Sequence, residues 1–225
     1  MTLLEEKSET TTETTATTKE VGDHPVPVTR GRIDVILIAL GAAAAVVLLV
    51  AGSLLTWGST FANDYVSREL AAQKISFPPA AALQEEGRDD LVQYGGQQVD
   101  TGAEAEAYAS YIQGHVDGMA DGATFSELRE PQVAAEEALN QAVESGAPNA
   151  EVARLQADLD EINGLRDTVF QGEVLRGTLL STYAWSTIAT IAGIAAVVAF
   201  VAAGVTLVLV VLGIIHLRRM HRAQA

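Results

Sequence analysis

The sequence VILIALGAAAAVVLLVAGSLLTW, residues 35–57, decides the fold, because it runs for 23 residues without a charged side chain. Residues 177–215 form a second such run, of 39 residues. A helix needs about 20 apolar residues to cross a bilayer, so each run can cross once. The second run has no polar turn near its centre, which predicts one long helix rather than two spans. We therefore predict an all-α membrane protein with transmembrane helices at residues 33–57 and 183–215.

Basic residues flank these runs and are scarce between them. Residues 57–180 carry seven basic side chains against 22 acidic ones. The positive-inside rule then places both termini in the cytoplasm, and residues 58–182 outside the cell membrane as an acidic helical domain. Five arginines anchor the cytoplasmic ends of the spans: Arg30, Arg32, Arg218, Arg219 and Arg222. Four aromatic residues are expected to form a belt at the outer interface of the lipid bilayer: Trp57, Phe61, Tyr183 and Trp185.

Two tails are predicted on the cytoplasmic side. Residues 1–32 are rich in threonine and glutamate and poor in apolar residues, which predicts a disordered segment. Residues 216–225 form a short basic tail. The leader ahead of the first run is too long and too acidic for a secretory signal peptide, so we expect the first span to remain as an anchor.

Apolar residues at helical spacing predict four helical segments between the apolar runs or leading into the second. They are residues 61–74, which continue the first span, and residues 103–119, 132–145 and 150–176. The last segment has a heptad-like stripe, and the segment before it has a thinner one, which predicts an antiparallel helical hairpin with a short coiled coil. Thr124 and Glu127 have the spacing of a capping box, and the glycine pair after Tyr94 predicts a turn.

The stretch ISFPP, residues 75–79, is predicted to be extended because proline disfavours helical geometry in the residue before it. We interpret it as a structural corner that turns the chain away from the first helix, formed by Ile75, Phe77, Pro78 and Pro79. Its apolar side chains are expected to pack against the helix that leads into the second span, near Val169, Phe170 and Leu175.

Small residues recur at helical spacing within both apolar runs. The candidates for close helix packing are Gly41, Ala45, Ala195, Ala199 and Ala203. They predict contact between the two spans, self-association or contact with other membrane proteins. The alternative is that alanine is simply abundant in this chain.

No residue pattern indicates catalysis, a metal centre or a cofactor site. The chain has no cysteine and four histidines, of which one, His115, lies in the predicted outer domain, so a zinc site or a two-histidine iron site cannot form there. His115 with Asp117 and Asp121 is a weak candidate for a divalent ion, although a helix-ending turn explains the aspartates equally well. The net charge of −15 argues against nucleic-acid binding, and the spans hold no ionisable residue that would mark a transport path. No small-molecule substrate is indicated.

Three stretches, AAQKISFPP, YGGQQVDTGAEAEAYASYI and LRDTVFQGEVLRGTLLSTYAWST, resemble a family of actinobacterial two-span membrane proteins. The resemblance covers residues 70–79, 94–112 and 170–185, about a fifth of the chain. Members are often labelled aromatic-ring-opening dioxygenase-like. Such an activity implies a metal centre for which this chain offers no ligand set, so no catalytic residue is carried over. The resemblance implies a shared two-span architecture whose motifs lie at the membrane exits.

These features together predict a non-enzymatic membrane protein that serves as an accessory or scaffolding subunit of a cell-envelope or membrane complex. Two alternatives stay open. One is a metal-dependent, oxygenase-like enzyme whose site a partner completes. The other is a membrane sensor that signals to the N-terminal tail.

Overall fold

The structure is a computed structural model that describes residues 30–224, so the tail predicted at residues 1–32 lies almost entirely outside the described residues. The described part of the chain is helical and has no β-strand, which confirms the all-α prediction. Its helices are α1 Arg30–Gln73, α2 Ala80–Glu85, a 3₁₀ helix Asp89–Tyr94, α3 Gly102–Met119, α4 Arg129–Glu144 and α5 Asn149–Gln224.

Helices α1 and α5 have 44 and 76 residues, and both are long and apolar enough to cross a membrane. At 1.5 Å per residue, α5 is about 114 Å long. It joins residues 150–176 and the second apolar run in one uninterrupted helix, because the last proline of the chain is Pro148 and no polar turn follows it. The prediction of two membrane-length helices is therefore confirmed.

Helices α1 and α5 pack antiparallel along a seam of small residues. Ile38 lies against Gly213 at one end, and Ser59 lies against Gly193 towards the other. Buried positions on α5 recur every seven residues, as at Ala189, Ala196 and Ala203. A seven-residue period is the signature of left-handed helix packing, and glycine and alanine at the contact let the two backbones approach closely.

The helix-packing candidates take different places relative to this seam. Ala45 and Ala203 are fully buried, and a methyl group on Gly41 would lie 2.9 Å from Val210 Cγ2. Ala199 is half-buried. Ala195 is exposed and does not face α1, so its contact with a second copy or with another membrane protein stays a prediction. A spacing of four residues drifts off a seam of period 3.5, and Ala196 occupies the buried position instead.

Helix α1 ends at Gln73 because Lys74 adopts a left-handed conformation with φ +53°. Residues 75–79 are then extended, as predicted, and pair with residues 96–99. The Phe77 amide donates to the Gln97 carbonyl at 2.9 Å, and the Val99 amide donates to the Ile75 carbonyl at 2.9 Å. The mixed composition of residues 80–94 did not predict α2 or the 3₁₀ helix that lie between the paired segments.

The predicted turn after Tyr94 is confirmed. Gly96 has φ +73°, a conformation that glycine adopts without steric cost, and the Gln97 amide donates to the Tyr94 carbonyl at 2.9 Å. The Gly96 amide also donates to the Pro78 carbonyl at 3.0 Å. This turn therefore brings residues 96–99 back onto the extended segment that follows α1.

Helix α3 begins with a capping box and packs tightly on α5. The Thr101 side chain accepts from the Glu104 amide, while the Glu104 carboxylate accepts from the Thr101 amide. A methyl group on Gly172 of α5 would lie 2.4 Å from Val116 Cγ2 of α3. Glycine at this crossing is therefore a packing requirement.

Helix α4 lies against the N-terminal part of α5. Gln132 donates to Asn163 Oδ1 at 2.7 Å and accepts from Arg166, whose guanidinium carbon is 4.4 Å from the centre of the Phe125 ring. The predicted hydrogen bonds between Thr124 and Glu127 form, with the Glu127 amide donating to Thr124 Oγ1 at 3.3 Å. They close a turn rather than start a helix, since α4 begins at Arg129.

Candidate functional site

The predicted corner at residues 75–79 is part of a small core between α1, α3 and α5. Phe77 is 3% exposed and stacks on Tyr94 with ring centroids 5.2 Å apart. It also meets Tyr108 of α3 edge-on, at 5.2 Å. Pro78 is half-buried and Pro79 is exposed. The corner therefore anchors the paired segments to the helices.

The corner was predicted to pack on α5 near residues 169–175, and its two apolar side chains lie at different places along that helix. Ile75 lines a cavity together with Phe170 and Leu175. Phe77 packs instead in the cluster that contains Leu179, further along α5. Val169 belongs to a separate cluster under α3 and the turn before α4. The pairing with residues 96–99 causes the difference, because it draws Tyr94 and α3 onto the Phe77 ring.

An elongated apolar cavity runs between α1 and α5 where the predicted first span ends. Its volume is about 860 Å³, and we call it the interhelical groove. One wall comes from α5 between residues 174 and 192. The α1 wall is formed by Gly58, Phe61, Ala62, Tyr65, Val66 and Glu69. A cavity of this size, mostly apolar with a few polar groups, is typical of ligand sites between helices.

The interhelical groove continues into a second cavity of about 450 Å³, which α1 lines with Glu69, Leu70 and Gln73. The two cavities share Glu69, Val174, Thr178 and Thr182. The second cavity adds the amides of Gln73 and Gln171 together with five apolar side chains, so its lining is as apolar as that of the groove. Together the cavities form one mostly apolar channel between α1 and α5.

Aromatic rings follow one edge of the interhelical groove. Trp57 stacks on Phe61 with centroids 5.8 Å apart, and Phe61 stacks on Tyr65 with centroids 6.3 Å apart. All three rings are more than half exposed, as is Trp185 across the groove, whereas Tyr183 is half-buried. Tyr65 was not predicted for the belt, although its spacing of four residues from Phe61 could have indicated it.

The threonine hydroxyls in the groove act towards a ligand only as acceptors. Thr178 Oγ1 donates its proton to the Val174 carbonyl at 2.9 Å, and Thr182 Oγ1 donates to the Thr178 carbonyl at 2.9 Å. Each threonine hydroxyl has a single proton, which is already donated, so only its oxygen lone pairs are available to a ligand. The Glu69 carboxylate is likewise an acceptor when it is ionised. The hydroxyls of Tyr65 and Ser181 also line the groove and can donate, so the groove offers both donors and acceptors.

Charged groups elsewhere in the helical domain hold structure together. Arg88 donates to both oxygens of Asp90, and to the carbonyl and hydroxyl of Ser110 on α3. The hydrogen bond to Asp90 raises the pKa of Arg88, and the same bond lowers the pKa of Asp90. Partial burial works to raise the pKa of Glu104, but hydrogen bonds from the Asp100 and Thr101 amides outweigh it and lower that pKa.

Within residues 30–224, no group of three or more histidine, cysteine, aspartate or glutamate side chains is placed to hold a metal ion. The candidates around His115 take part in local structure instead. His115 Nδ1 lies 3.3 Å from the Tyr111 carbonyl, and Asp117 accepts from Gln113 at 2.6 Å. Asp121 lies in the turn after α3, with φ +50°.

The fold and the groove thus define an all-helical chain with two membrane-length helices and a lateral cavity between them. No protein-family model matches this chain, and neither a curated protein nor a solved structure matches it.

Proposed function

We propose that this chain is a non-enzymatic membrane scaffold in which α1 and α5 span a cell membrane and carry a helical domain on its outer side. In this topology residues 58–182 are extracytoplasmic, both termini are cytoplasmic, and α4 with the start of α5 forms a projecting hairpin. The chain would serve as an accessory subunit of a membrane or cell-envelope complex, in keeping with the family it resembles.

The continuity of α5 carries this proposal. The helix runs from Asn149, beside α4, through the second apolar run to the basic C-terminal residues without a break. A continuous helix fixes the position of a domain relative to the bilayer, as a scaffold requires. The arginines beyond the two apolar runs and the scarcity of basic residues between the runs agree with the same orientation.

The absence of cysteine makes the topology directly testable. Single cysteines at Ser145 and at His221 are offered to a membrane-impermeant maleimide in intact cells and again after permeabilisation. We expect the Ser145→Cys variant to label in intact cells and the His221→Cys variant to label only after permeabilisation. The reverse pattern, or labelling of both in intact cells, would contradict the proposed orientation.

The scaffold role is tested by purification in a mild detergent with mass spectrometry and light scattering. We expect a stoichiometric complex, either with other membrane proteins or between copies of this chain. A monodisperse monomer would count against a scaffold. One bound metal ion per chain would instead favour the metal-dependent enzyme that we set aside.

A further inference from the structure

Three stacked aromatic rings form an exposed ridge on α1, which we call the aromatic ridge: Trp57, Phe61 and Tyr65. They recur every four residues, so they share one face of the helix, and each is more than half exposed. In the proposed topology the chain leaves the bilayer at Trp57, and Tyr65 lies eight residues, or about 12 Å, beyond that point. Lipid therefore does not cover the outer part of the ridge. An apolar surface that is exposed to water is typical of an interface with protein.

The interhelical groove runs directly beside the aromatic ridge. Gly58 and Ala62 line its α1 wall, and each follows a residue of the ridge in the chain. No described atom beyond the helix's own backbone and the adjacent residues comes within 4 Å of the point where a Cβ would stand on Gly58, and Gly177 on the α5 wall is open in the same way. Packing within the chain therefore does not explain glycine inside these helices, where it is the least favourable residue after proline. The space at Gly58 is available to a group from outside the chain.

The ridge of one copy of this chain fits the groove of another. Residues four apart form an inclined row on a helix surface, and the rows of one helix pack into the grooves between the rows of its neighbour. Here the large row 57, 61, 65 lies beside the small row 58, 62, so α1 carries both halves of such a contact. Small residues four apart are also typical of close crossings between membrane helices. Two copies in one membrane run parallel, and a two-fold axis along the bilayer normal places the ridge of each copy in the groove of the other.

The charged residues that follow the ridge match the same arrangement. At about 100° per residue, Arg68 and Glu69 lie on opposite sides of Tyr65. A two-fold axis parallel to the helices sets one side of a helix against the other side of its copy, so Arg68 of each copy faces Glu69 of the other. Both side chains are exposed, and neither forms an ion pair within residues 30–224. This charge complementarity favours a second copy over an unrelated apolar helix.

The exposed area is large enough for a stable pair. An aromatic side chain buries about 150–250 Å² when it is covered. The three rings of the ridge and Trp185 across the groove are 51–68% exposed, so together they offer about 350–590 Å² per chain. Specific protein pairs bury about 800 Å² per partner. These four rings therefore supply about half or more of an interface of standard size.

We propose that a second copy of this chain occupies the interhelical groove, with the aromatic ridge of each copy seated against Gly58 and Ala62 of the other copy. The inference rests on the proposed function, because it requires both copies to span the same membrane in the same direction. It deepens the scaffold role by naming the partner and the residues that bind it. The groove is then one half of a paired site that a single chain does not complete.

Energy transfer between labelled chains in lipid vesicles tests the proposal. The chain has no cysteine, so a His221→Cys variant carries either a donor or an acceptor dye at one position. The two populations are reconstituted together at a series of protein-to-lipid ratios, which gives the dissociation constant of the pair. We expect transfer that rises with this ratio and that an excess of unlabelled chain abolishes.

Absence of energy transfer would overturn the second copy as the occupant of the groove. The scaffold role is judged separately, because a complex with another protein in the mild-detergent purification would still support it. Transfer that unlabelled chain does not reduce would also overturn the proposal, since it indicates crowding in the vesicle rather than a specific pair.

A matched pair of substitutions tests the groove side of the contact. Gly58→Leu should fill the space beside the ridge and raise the dissociation constant at least about tenfold. Gly204→Leu is the control, because Gly204 is equally open and lies in the second apolar run but does not line the groove. It should change the dissociation constant by less than about twofold. Equal effects of the two substitutions would overturn the proposal, since the pairing would then not involve the groove.

An exchange of charges tests the two-fold arrangement without altering the groove. Arg68→Glu and Glu69→Arg should each weaken the pair about three- to tenfold, because each replaces attraction between the copies by repulsion. The double variant, Arg68→Glu with Glu69→Arg, should restore the original dissociation constant. Adjacent residues on a helix do not face each other, so this rescue cannot arise within one chain. A double variant as weak as the single ones would overturn the proposed pairing.

Discussion

Gly102 of α3 lies so close to Ser186 of α5 that a methyl group on Gly102 would stand 2.3 Å from Ser186 Cβ. Gly102→Ala should therefore force α3 away from α5 and lower the free energy of unfolding by about 1–3 kcal/mol. Denaturant unfolding of the purified protein in detergent measures the change. Gly164→Ala is the control, because its site on α5 is open and alanine favours a helix by about 1 kcal/mol. Equal effects of the two substitutions would contradict the close packing of α3 on α5.

Phe77 is the central side chain of the core at the corner. Phe77→Ala should lower the free energy of unfolding of the helical domain by about 3–5 kcal/mol, because it removes a ring that is 3% exposed and packed on two tyrosines. Phe61→Ala is the control, since that ring is 55% exposed and should change stability by less than about 0.5 kcal/mol. Near-ultraviolet circular dichroism during denaturation follows both variants. A Phe77→Ala protein as stable as the control would show that the corner is not anchored.

Arg88 ties the 3₁₀ helix to α3 through its bonds to Asp90 and Ser110. Arg88→Ala should cost about 1.5–3 kcal/mol, because its side chain is only 20% exposed and the bonds to a charged group are lost. Arg154→Ala should cost less than about 0.5 kcal/mol, because its pair with Asp158 spans 3.9 Å and is exposed. Thermal unfolding in the same detergent compares the two. Equal losses would mean that Arg88 contributes no more than a surface ion pair.

Two alanines that were both predicted to pack between helices differ in burial at the seam between α1 and α5. Ala203→Leu should destabilise the pair of helices by about 1–3 kcal/mol, because Ala203 is fully buried against α1. Ala195→Leu should leave stability within about 0.5 kcal/mol, because Ala195 is exposed. Unfolding by a denaturing detergent measures both. The opposite order would contradict the seam, in which Ala203 and not Ala195 is buried.

Acidification should destabilise the helical domain. The pKa values of Asp90, Glu104 and Glu127 are lowered in the folded chain, for Glu127 by hydrogen bonds from Thr124. Lowered pKa values stabilise the fold above the unfolded carboxyl pKa of about 4, and this stabilisation is lost as the pH falls through the folded values. Repulsion from Glu104 raises the pKa of Asp100, which acts in the opposite direction.

Three lowered pKa values against one raised value predict a net loss of stability between about pH 5 and pH 3. Chemical denaturation at a series of pH values tests this prediction. Glu104→Gln should flatten the decline, since it removes one of the lowered pKa values, while the release of Asp100 from repulsion by Glu104 offsets part of this effect. A stability that rises on acidification would contradict the assignment of these carboxylates as structural.

The membrane-length helices could be predicted from the sequence because apolar runs and the last proline determine them locally. The turn at Gly96 and the extended residues before Pro79 were predictable for the same reason, since glycine and proline restrict the backbone within a few residues. Such features need no knowledge of what the segment touches. The predictions that failed depend on contacts between distant parts of the chain.

The buried face of α5 illustrates this limit. Residues 195 and 196 are both alanine, so the residue type alone does not show which of them faces α1. The seven-residue period of the packed helices decides this. The interhelical groove is also a property of the pair of helices, because Gly58 and Gly177 are 119 positions apart in the chain. A single glycine inside an apolar or amphipathic helix is only weak evidence for a cavity. The signal becomes specific once the two positions are known to share a cavity.

The unbroken helix α5 also acts as a lever. In the proposed topology its N-terminal end lies 36 residues beyond Trp185, or about 54 Å, because each residue adds 1.5 Å. Transmembrane helices tilt by about 20° to match the thickness of a bilayer, and such a tilt would carry that end sideways by about 18 Å. A thicker or thinner membrane would therefore change how far apart two such tips stand, so that bilayer thickness is converted into spacing above the surface.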